Sequence, residues 1–226
     1  MDIAEAVKQR KSIRAFKPDP LPKEMLRELM ELSLRAPSWA NTQPWDFAIV
    51  SGTVLEEIRQ TYTRISNEES RTDLARPLGF PEPYNSRHQA LRKRDAEVMV
   101  RTPNGQGDDW RRTLSSRLYG APCVIYIYTG RDFYLQGSSI NVWPVFDCGL
   151  IAENIMLLAV NYGLGTLPAI QLVKYPDVLK SILKIPDTKL MVLGIAIGYP
   201  DWNYPLNQAF SQRESLDNVA RWYGFE

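Results

Sequence analysis

Arg10-Lys11-Ser12-Ile13-Arg14 places three cations and a hydroxyl within five residues, directly after the short amphipathic segment Ile3-Ala4-Glu5-Ala6-Val7. The arginines offer planar forks of donors to phosphate oxygens, Lys11 adds a point charge, and Ser12 can donate from both its hydroxyl and its backbone N–H. The same residues also suit the solvated basic end of a helix, favoured by the macrodipole. A second stretch tips the balance towards an anion site. Ala36-Pro37-Ser38-Trp39-Ala40-Asn41-Thr42-Gln43-Pro44-Trp45 ends one expected helix and leads into an expected strand with few charges. The two stretches together are more specific than either alone.

At 226 residues the chain is long enough to bury its own core as one domain, with no staple or metal needed for folding. A formal net charge of +1 argues against a broad basic surface for duplex nucleic acid, but leaves room for a local cationic pocket. Cys123 and Cys148 are the only cysteines and form no zinc or disulfide pattern, which points to a reducing, cytoplasmic setting. The start, Met1-Asp2-Ile3-Ala4-Glu5, carries neither a basic leader nor an apolar targeting core, and no later apolar run is read as long enough to cross a bilayer. His88 is the sole histidine. A histidine-based metal site is thereby excluded, and a Ser-His-Asp hydrolase would have to be built around one loop residue.

Asp2 is a candidate cap for a first helix that turns Ile3, Ala6 and Val7 inward and ends near Lys11. Phe16 to Pro22, with three prolines, leaves helix behind, and a second helix runs from Lys23 to Arg35 until Pro37 stops it. Asp46 to Ser51 reads as a short buried strand and Val54 to Tyr62 as helix. Ser66 to Asp109, rich in proline and in the cations Arg87, Arg92, Lys93 and Arg94, reads as an excursion over the core with a helix near Asn85 to Val100. Those cations suit either an acidic ligand or a solvated helix face.

A helix from Trp110 to Leu118 precedes Cys123 to Thr129, whose β-branched and aromatic run marks a central strand closed by Gly130. Val145 to Tyr162 is the most apolar helix, with almost no polar face, so it belongs in the interior or at a subunit interface. Gly163-Leu164-Gly165 terminates it, and Thr166 to Leu172 is extended. A helix from Tyr175 to Leu183 and a core strand from Lys189 to Tyr199 follow. The tail from Asp201 to Glu226 carries Trp202, Tyr204, Phe210, Trp222, Tyr223 and Phe225, and so many aromatics in a terminal arm call for a packing partner, a second subunit being a good candidate.

Several of these segments carry a family likeness. The opening Arg10 to Phe16, the Ala36-Pro37-Ser38, Asn41 and Gln43-Pro44-Trp45 signature, Asp147-Cys148-Gly149, the Gly163 to Pro168 turn and the late Arg213 resemble, in order and spacing, the FMN-dependent nitroreductase family, NAD(P)H-dependent flavin oxidoreductases. The resemblance covers nearly the whole chain, and Pro81-Glu82-Pro83-Tyr84 is similar to a branch acting on nitroaromatic acids. It implies an α+β three-layer sandwich, a central mostly antiparallel sheet flanked by helices, in an intertwined homodimer. Residues 1–226 then form a single FMN-binding domain, with 66–109 over the active site and 201–226 reaching the partner subunit.

By the same likeness, Arg10, Lys11, Ser12 and Arg213 hold the phosphate and ribityl side of FMN, and Arg14 approaches the pyrimidine edge of the ring or the neighbouring polar network. Pro37, Ser38 and Asn41 come from the opposite subunit, with Gln43 a polar candidate in the same cleft. Pro168, Ala169, Ile170 and Gln171 run along the flavin, the Ile170 amide nearest N5. No side chain is then needed as a catalytic acid, because the cofactor carries the chemistry. NADH or NADPH is the implied donor, and a small aromatic molecule such as a nitroaromatic or quinone the acceptor. No dinucleotide fingerprint separates the two nucleotides.

The chain departs from the pattern in two places. Leu167 and Ala169 stand where the resembling branch often has cysteine and glutamine, so the pocket is expected to be more apolar. Trp39 replaces a commonly small residue and could stack on substrate or cap the cleft. Cys148 invites a redox reading, yet a buried inert thiol at a helix start is the simpler one. Two other functions remain compatible with the sequence: a flavin-dependent reductive dehalogenase or dehydrogenase with Arg87 or Arg92 as a lid cation, and a protein that binds FMN without turnover.

Overall fold

In the computed structural model, which describes residues 1–100 and 110–225, the central sheet is built from the two strongest apolar runs. The expected excursion therefore extends, over 101–109, outside the described residues, as does the last residue of the tail. β2 (Cys123–Gly130) pairs antiparallel with β6 (Lys189–Gly198). Every side chain from Cys123 to Ile127 is buried, as a run without polar alternation requires when both sheet faces are covered. β1 (Asp46–Ser51) adds on the outer side of β2 and β5 (Gly165–Ala169) on the outer side of β6, giving the order β1-β2-β6-β5 with all three pairings antiparallel.

Helices sandwich this sheet because successive strand residues face opposite sides. Val124 and Tyr126 of β2 meet Leu55, Ile58 and Tyr62 of α3 (Gly52–Arg64) and Leu179 of α8 (Pro176–Leu183). Ile125 and Ile127 meet Leu26 and Leu29 of α2 (Lys23–Ser33) and Ile151 and Ile155 of α7 (Trp143–Asn161). The three-layer α+β arrangement expected from the sequence is thus present, with a wholly antiparallel main sheet. A small hairpin of β3 (Leu135–Gln136) and β4 (Ser139–Ile140), entered through α6 (Arg131–Tyr134), joins β2 to α7 and has no counterpart in the sequence reading.

Three expectations need correction. β1 is an edge strand and not a buried one: Val50 is covered while Ile49 is 45% exposed, since α7 lies over β2, β6 and β5 and leaves the edge open. α1 (Ile3–Gln9) has its Asp2 cap, with the carboxylate accepting from the Ala4 N–H at 3.3 Å, but only Ala6 is buried and both Ile3 and Val7 face outward. A single turn of contact with α7 is all that so short a helix makes within one chain. Finally, α7 is long and apolar enough by length and composition to pass for a membrane span, against the expectation of no such run. One of its faces carries Asp147, Cys148, Ile151, Ile155 and Ala159 into the interior.

The excursion is attached at its beginning and more loosely afterwards. The Arg71 N–H donates to the Lys174 carbonyl at 3.0 Å, and Asp73 accepts from Lys180 Nζ at 3.2 Å and from the Met191 N–H at 2.8 Å. Further on, α4 (Tyr84–Val100) buries only Asp95 and Met99. After α5 (Trp110–Ser116) the chain enters β2. Beyond β6, α9 (Pro205–Gln208) packs on α4, and α10 (Leu216–Val219) belongs to an exposed tail.

Candidate functional site

Once α1 ends at Gln9, the cationic strip is held to β5 through the backbone. Ser12 bridges Thr166 in parallel fashion, and the Ile13 N–H donates to the Thr166 carbonyl at 2.9 Å. Ile13 drops into the core, 2% exposed, against Gly165, where a Cβ would stand 2.5 Å from its side chain. Only glycine permits that approach. The strip therefore runs beside the segment that leads through Pro168 and Ala169 into the turn Ile170–Val173. Pro168, Ile170 and Gln171 are half-buried and Ala169 is buried, with the Ile170 amide just beyond the last paired residue of β5.

The four polar residues of the strip diverge. Arg10 Nε lies 3.6 Å from a Glu153 carboxylate oxygen on α7, and Arg14 Nη2 lies 3.7 Å from Asp95 on α4, both long for a charge-assisted bond. The Arg14 backbone N–H donates to Asn207 Oδ1 at 2.7 Å. Lys11 turns the other way: its ammonium sits 3.9 Å from the ring centre of Phe210 and 4.9 Å from that of Trp202, and burial lowers its pKa. It makes no ion pair among the described residues. Ile13, Thr166, Trp202 and Phe210 line a cavity of about 220 Å³ beside it.

The Ala36 to Trp45 signature forms a tight loop at a distance from the strip. Ser38 Oγ accepts the Gln43 N–H at 3.0 Å, and Ala40, Asn41 and Gln43 all have positive φ, at 46°, 59° and 46°. Such backbone is costly for residues with a Cβ and persists only where surrounding bonds impose it. Here the Trp39 N–H donates to the buried Asp147 carboxylate at 3.0 Å, and Thr129 Oγ1 donates to the Pro44 carbonyl at 2.7 Å. Pro37, Asn41 and Gln43 face outward and Ser38 is half-buried. Trp39, itself 55% exposed, lies 4.6 Å from Trp143, centre to centre.

Within one chain, then, the strip and the β5 turn come together, whereas no hydrogen bond or ion pair among the described residues joins the 37–43 loop to them. Arg213 is also separate: its guanidinium donates only to Ser211 and Gln212. Cys148 is 1% exposed and burial pushes its thiol up to about 12, the inert reading. No cluster of metal-binding side chains exists among the described residues. The sequence reading missed Asp95 and Asn207, which bond strip residues and stand in no pattern that one sequence could single out; it singled out Asp147 as a motif residue without its bond to the Trp39 N–H.

Two arginines engaged at only 3.6 and 3.7 Å and one lysine without an anion among the described residues leave the strip with cationic donors available to an anionic ligand. The strip lies along the edge strand β5 of an α+β sandwich. The nitroreductase family model matches residues 7–199, and the chain belongs to that family. A 4-nitrobenzoate reductase of Pseudomonas putida is 26% identical, covering 100% of this chain and 97% of its own. A chloronitrobenzene nitroreductase of Comamonas testosteroni is 31% identical over 96% and 95% of the two chains. The crystal structure of an FMN and NADPH-dependent nitroreductase, NfnB from sphigopyxis sp. strain HMH, superposes with a TM-score of 0.89 at 25% identity, covering 100% of both chains.

Proposed function

We propose that this chain is an FMN-dependent oxidoreductase that passes electrons from NADPH or NADH to a small aromatic acceptor, such as a nitroaromatic or a quinone, and that it works as a homodimer. The observation that carries this reading is the weakly engaged cationic strip bound along β5, in a chain that matches an FMN and NADPH-dependent relative over its full length.

Arg10, Ser12 and Arg213 hold the phosphate and ribityl side of FMN, with Lys11 adding its charge from behind the strip. Arg14 faces the pyrimidine edge. Bound FMN supplies the chemistry, accepting a hydride and then returning electrons to the second substrate. The work left to the chain is positioning and charge: cations that favour the negative charge of reduction, and the Pro168 to Gln171 segment laid along the ring with the Ile170 amide directed at it. Pro37, Ser38 and Asn41 come from the partner subunit, with Gln43 near them, and the arm from Asp201 reaches across. The exposed Trp39, Trp143 and Phe146 and the outward Ile3 and Val7 support such an assembly, since they leave apolar surface uncovered on one chain.

Anaerobic mixing of the purified, FMN-loaded protein with NADPH or NADH tests the reading. Bleaching of the oxidised flavin, followed by recovery on adding 4-nitrobenzoate or a quinone, is the expected result. Bound FMN that neither nucleotide reduces would overturn it.

A further inference from the structure

α4 carries Arg87, Arg92, Lys93 and Arg94, yet the side chain it buries deepest with a charge is Asp95, 5% exposed. One Asp95 carboxylate oxygen accepts from Arg94 Nε at 3.1 Å and from Arg94 Nη2, and the other lies 3.7 Å from Arg14 Nη2. Arg94 Nη1 is buried with no hydrogen-bond partner. Two guanidinium groups thus share one carboxylate, and the cluster keeps an excess positive charge.

Three further segments converge on Arg14. Its backbone N–H is held by Asn207, which is itself fully buried and donates to the Ala15 and Asp201 carbonyls at 2.7 and 2.8 Å. Burial raises the phenol pKa values of Tyr119 and Tyr204, and the Arg14 charge lowers both in part. Tyr119 and its neighbour Leu118 hold positive φ, 58° and 51°, a strained pair that only strong surrounding packing maintains. The Arg14 backbone is therefore fixed in place, and among the described residues the one negative charge against its guanidinium is Asp95.

We propose that Asp95 is a positioning residue that sets how much of the Arg14 charge reaches the bound flavin. The inference rests on the reading above that Arg14 faces the pyrimidine edge. The Asp95 carboxylate draws the Arg14 guanidinium towards α4. Neutralising it removes a negative charge and releases the guanidinium, so that more of its charge bears on the ring, which favours the negative charge that reduction places on the flavin. Arg94 works in the opposite sense: while it engages Asp95, less of the carboxylate is available to Arg14.

The test is the midpoint potential of FMN in the holoprotein, measured anaerobically against reference dyes. Asp95→Asn keeps the shape of the side chain and removes its charge. It is expected to shift the reduced-to-oxidised binding ratio about tenfold towards the reduced form, equivalent to about 30 mV upward for a two-electron couple. In an Arg14→Ala background that shift should shrink to the direct effect of the lost carboxylate charge. Arg94→Gln, at a less buried side chain that is safer for folding, should move the potential downward. An unchanged potential in both Asp95→Asn and Arg94→Gln overturns the proposal, as does an equal upward shift from Asp95→Asn with and without Arg14. If Arg14→Ala itself leaves the potential unmoved, the placement of Arg14 at the flavin falls, and this inference with it. If Arg14→Ala moves it and the other two variants do not, only the role of Asp95 falls.

Discussion

Two parts of the molecule bring cations to the proposed cofactor site, and the fold treats them in opposite ways. The strip from Arg10 to Phe16 is stitched to the sheet by main-chain bonds: Ile13 to Thr166 at 2.9 Å, Lys17 to Tyr199 at 2.8 Å, and a bridge between Phe16 and Pro200. The tail past Phe210 has Leu216, Val219, Trp222, Tyr223 and Phe225 at 59–83% exposed, and Arg213 bonds only to its own neighbours. Among the described residues its one long-range ion pair is Glu214 with Arg87 at 2.7 Å. The strip is complete within one chain. The tail is not, because five large apolar side chains in water are stabilised only when something covers them.

The largest expected effect comes from breaking the stitched side. Gly165→Val would drive a Cβ to 2.5 Å from Ile13 and 2.8 Å from Pro200, with further methyls behind it. Overpacking of this kind costs roughly 1–3 kcal/mol or more. Urea unfolding should show that loss, together with loss of FMN retention, since the strip moves with Ile13. Wild-type stability with wild-type FMN affinity would mean that the strip is not held by this contact.

A smaller effect sharpens the comparison. Arg10→Ala and Arg213→Ala each remove one charge-assisted bond in the proposed reading, about 1.5–3 kcal/mol or a ten- to hundredfold loss of FMN affinity. Fluorescence titration of apoprotein with FMN separates the two regions. Equal losses mean that the tail docks as firmly as the strip; a loss with Arg10→Ala alone means that the tail stays free, and the reaching-arm proposal fails.

Truncation divides the tail itself. Ending the chain after Phe210 removes residues that, as far as described, are exposed except for the half-buried Ala220, and should leave unfolding of the chain within about 0.5 kcal/mol of wild type, the range for surface changes. Ending it before Asp201 also removes Asn207, which binds Arg14 and Ala15, and Trp202 and Phe210 beside Lys11. Light scattering should then report monomers or aggregates in place of dimers. A well-behaved dimer after the longer cut would contradict the proposed arm.

How much of this was legible beforehand follows from the kind of force at each place. β2, β6, α2 and α7 are set by apolar periodicity and glycine or proline punctuation, which are local and written in order along the chain. The edge position of β1 depends on which helices overlie it, a global outcome. Ile3 and Val7 read as inward because amphipathic spacing does not say whether the partner surface lies in the same chain. The cations of the strip were visible as a cluster, but the turning of Lys11 towards Phe210 depends on a residue 199 positions away. Asp95 was hidden beside the basic residues of α4, where an acid looks like a solvated counter-ion.

The smallest effect concerns pH. The Cys148 thiol is held up at about 12 by burial and, to a lesser degree, by Asp147 and Asp46, against an ordinary value of 9.0. A group whose folded value is raised keeps its proton in the native state after the unfolded chain has lost it. Its contribution to stability is therefore constant below about pH 9 and is lost as pH rises through about 12. Cys148→Ala should flatten the alkaline fall of stability across that window and leave the neutral plateau lower by a small cavity cost, both readable from unfolding curves at successive pH values. The native thiol should also resist alkylation near pH 8. Rapid modification there would place Cys148 in a more open site than the face of α7 turned into the sheet, and would reopen the redox reading that its burial closes.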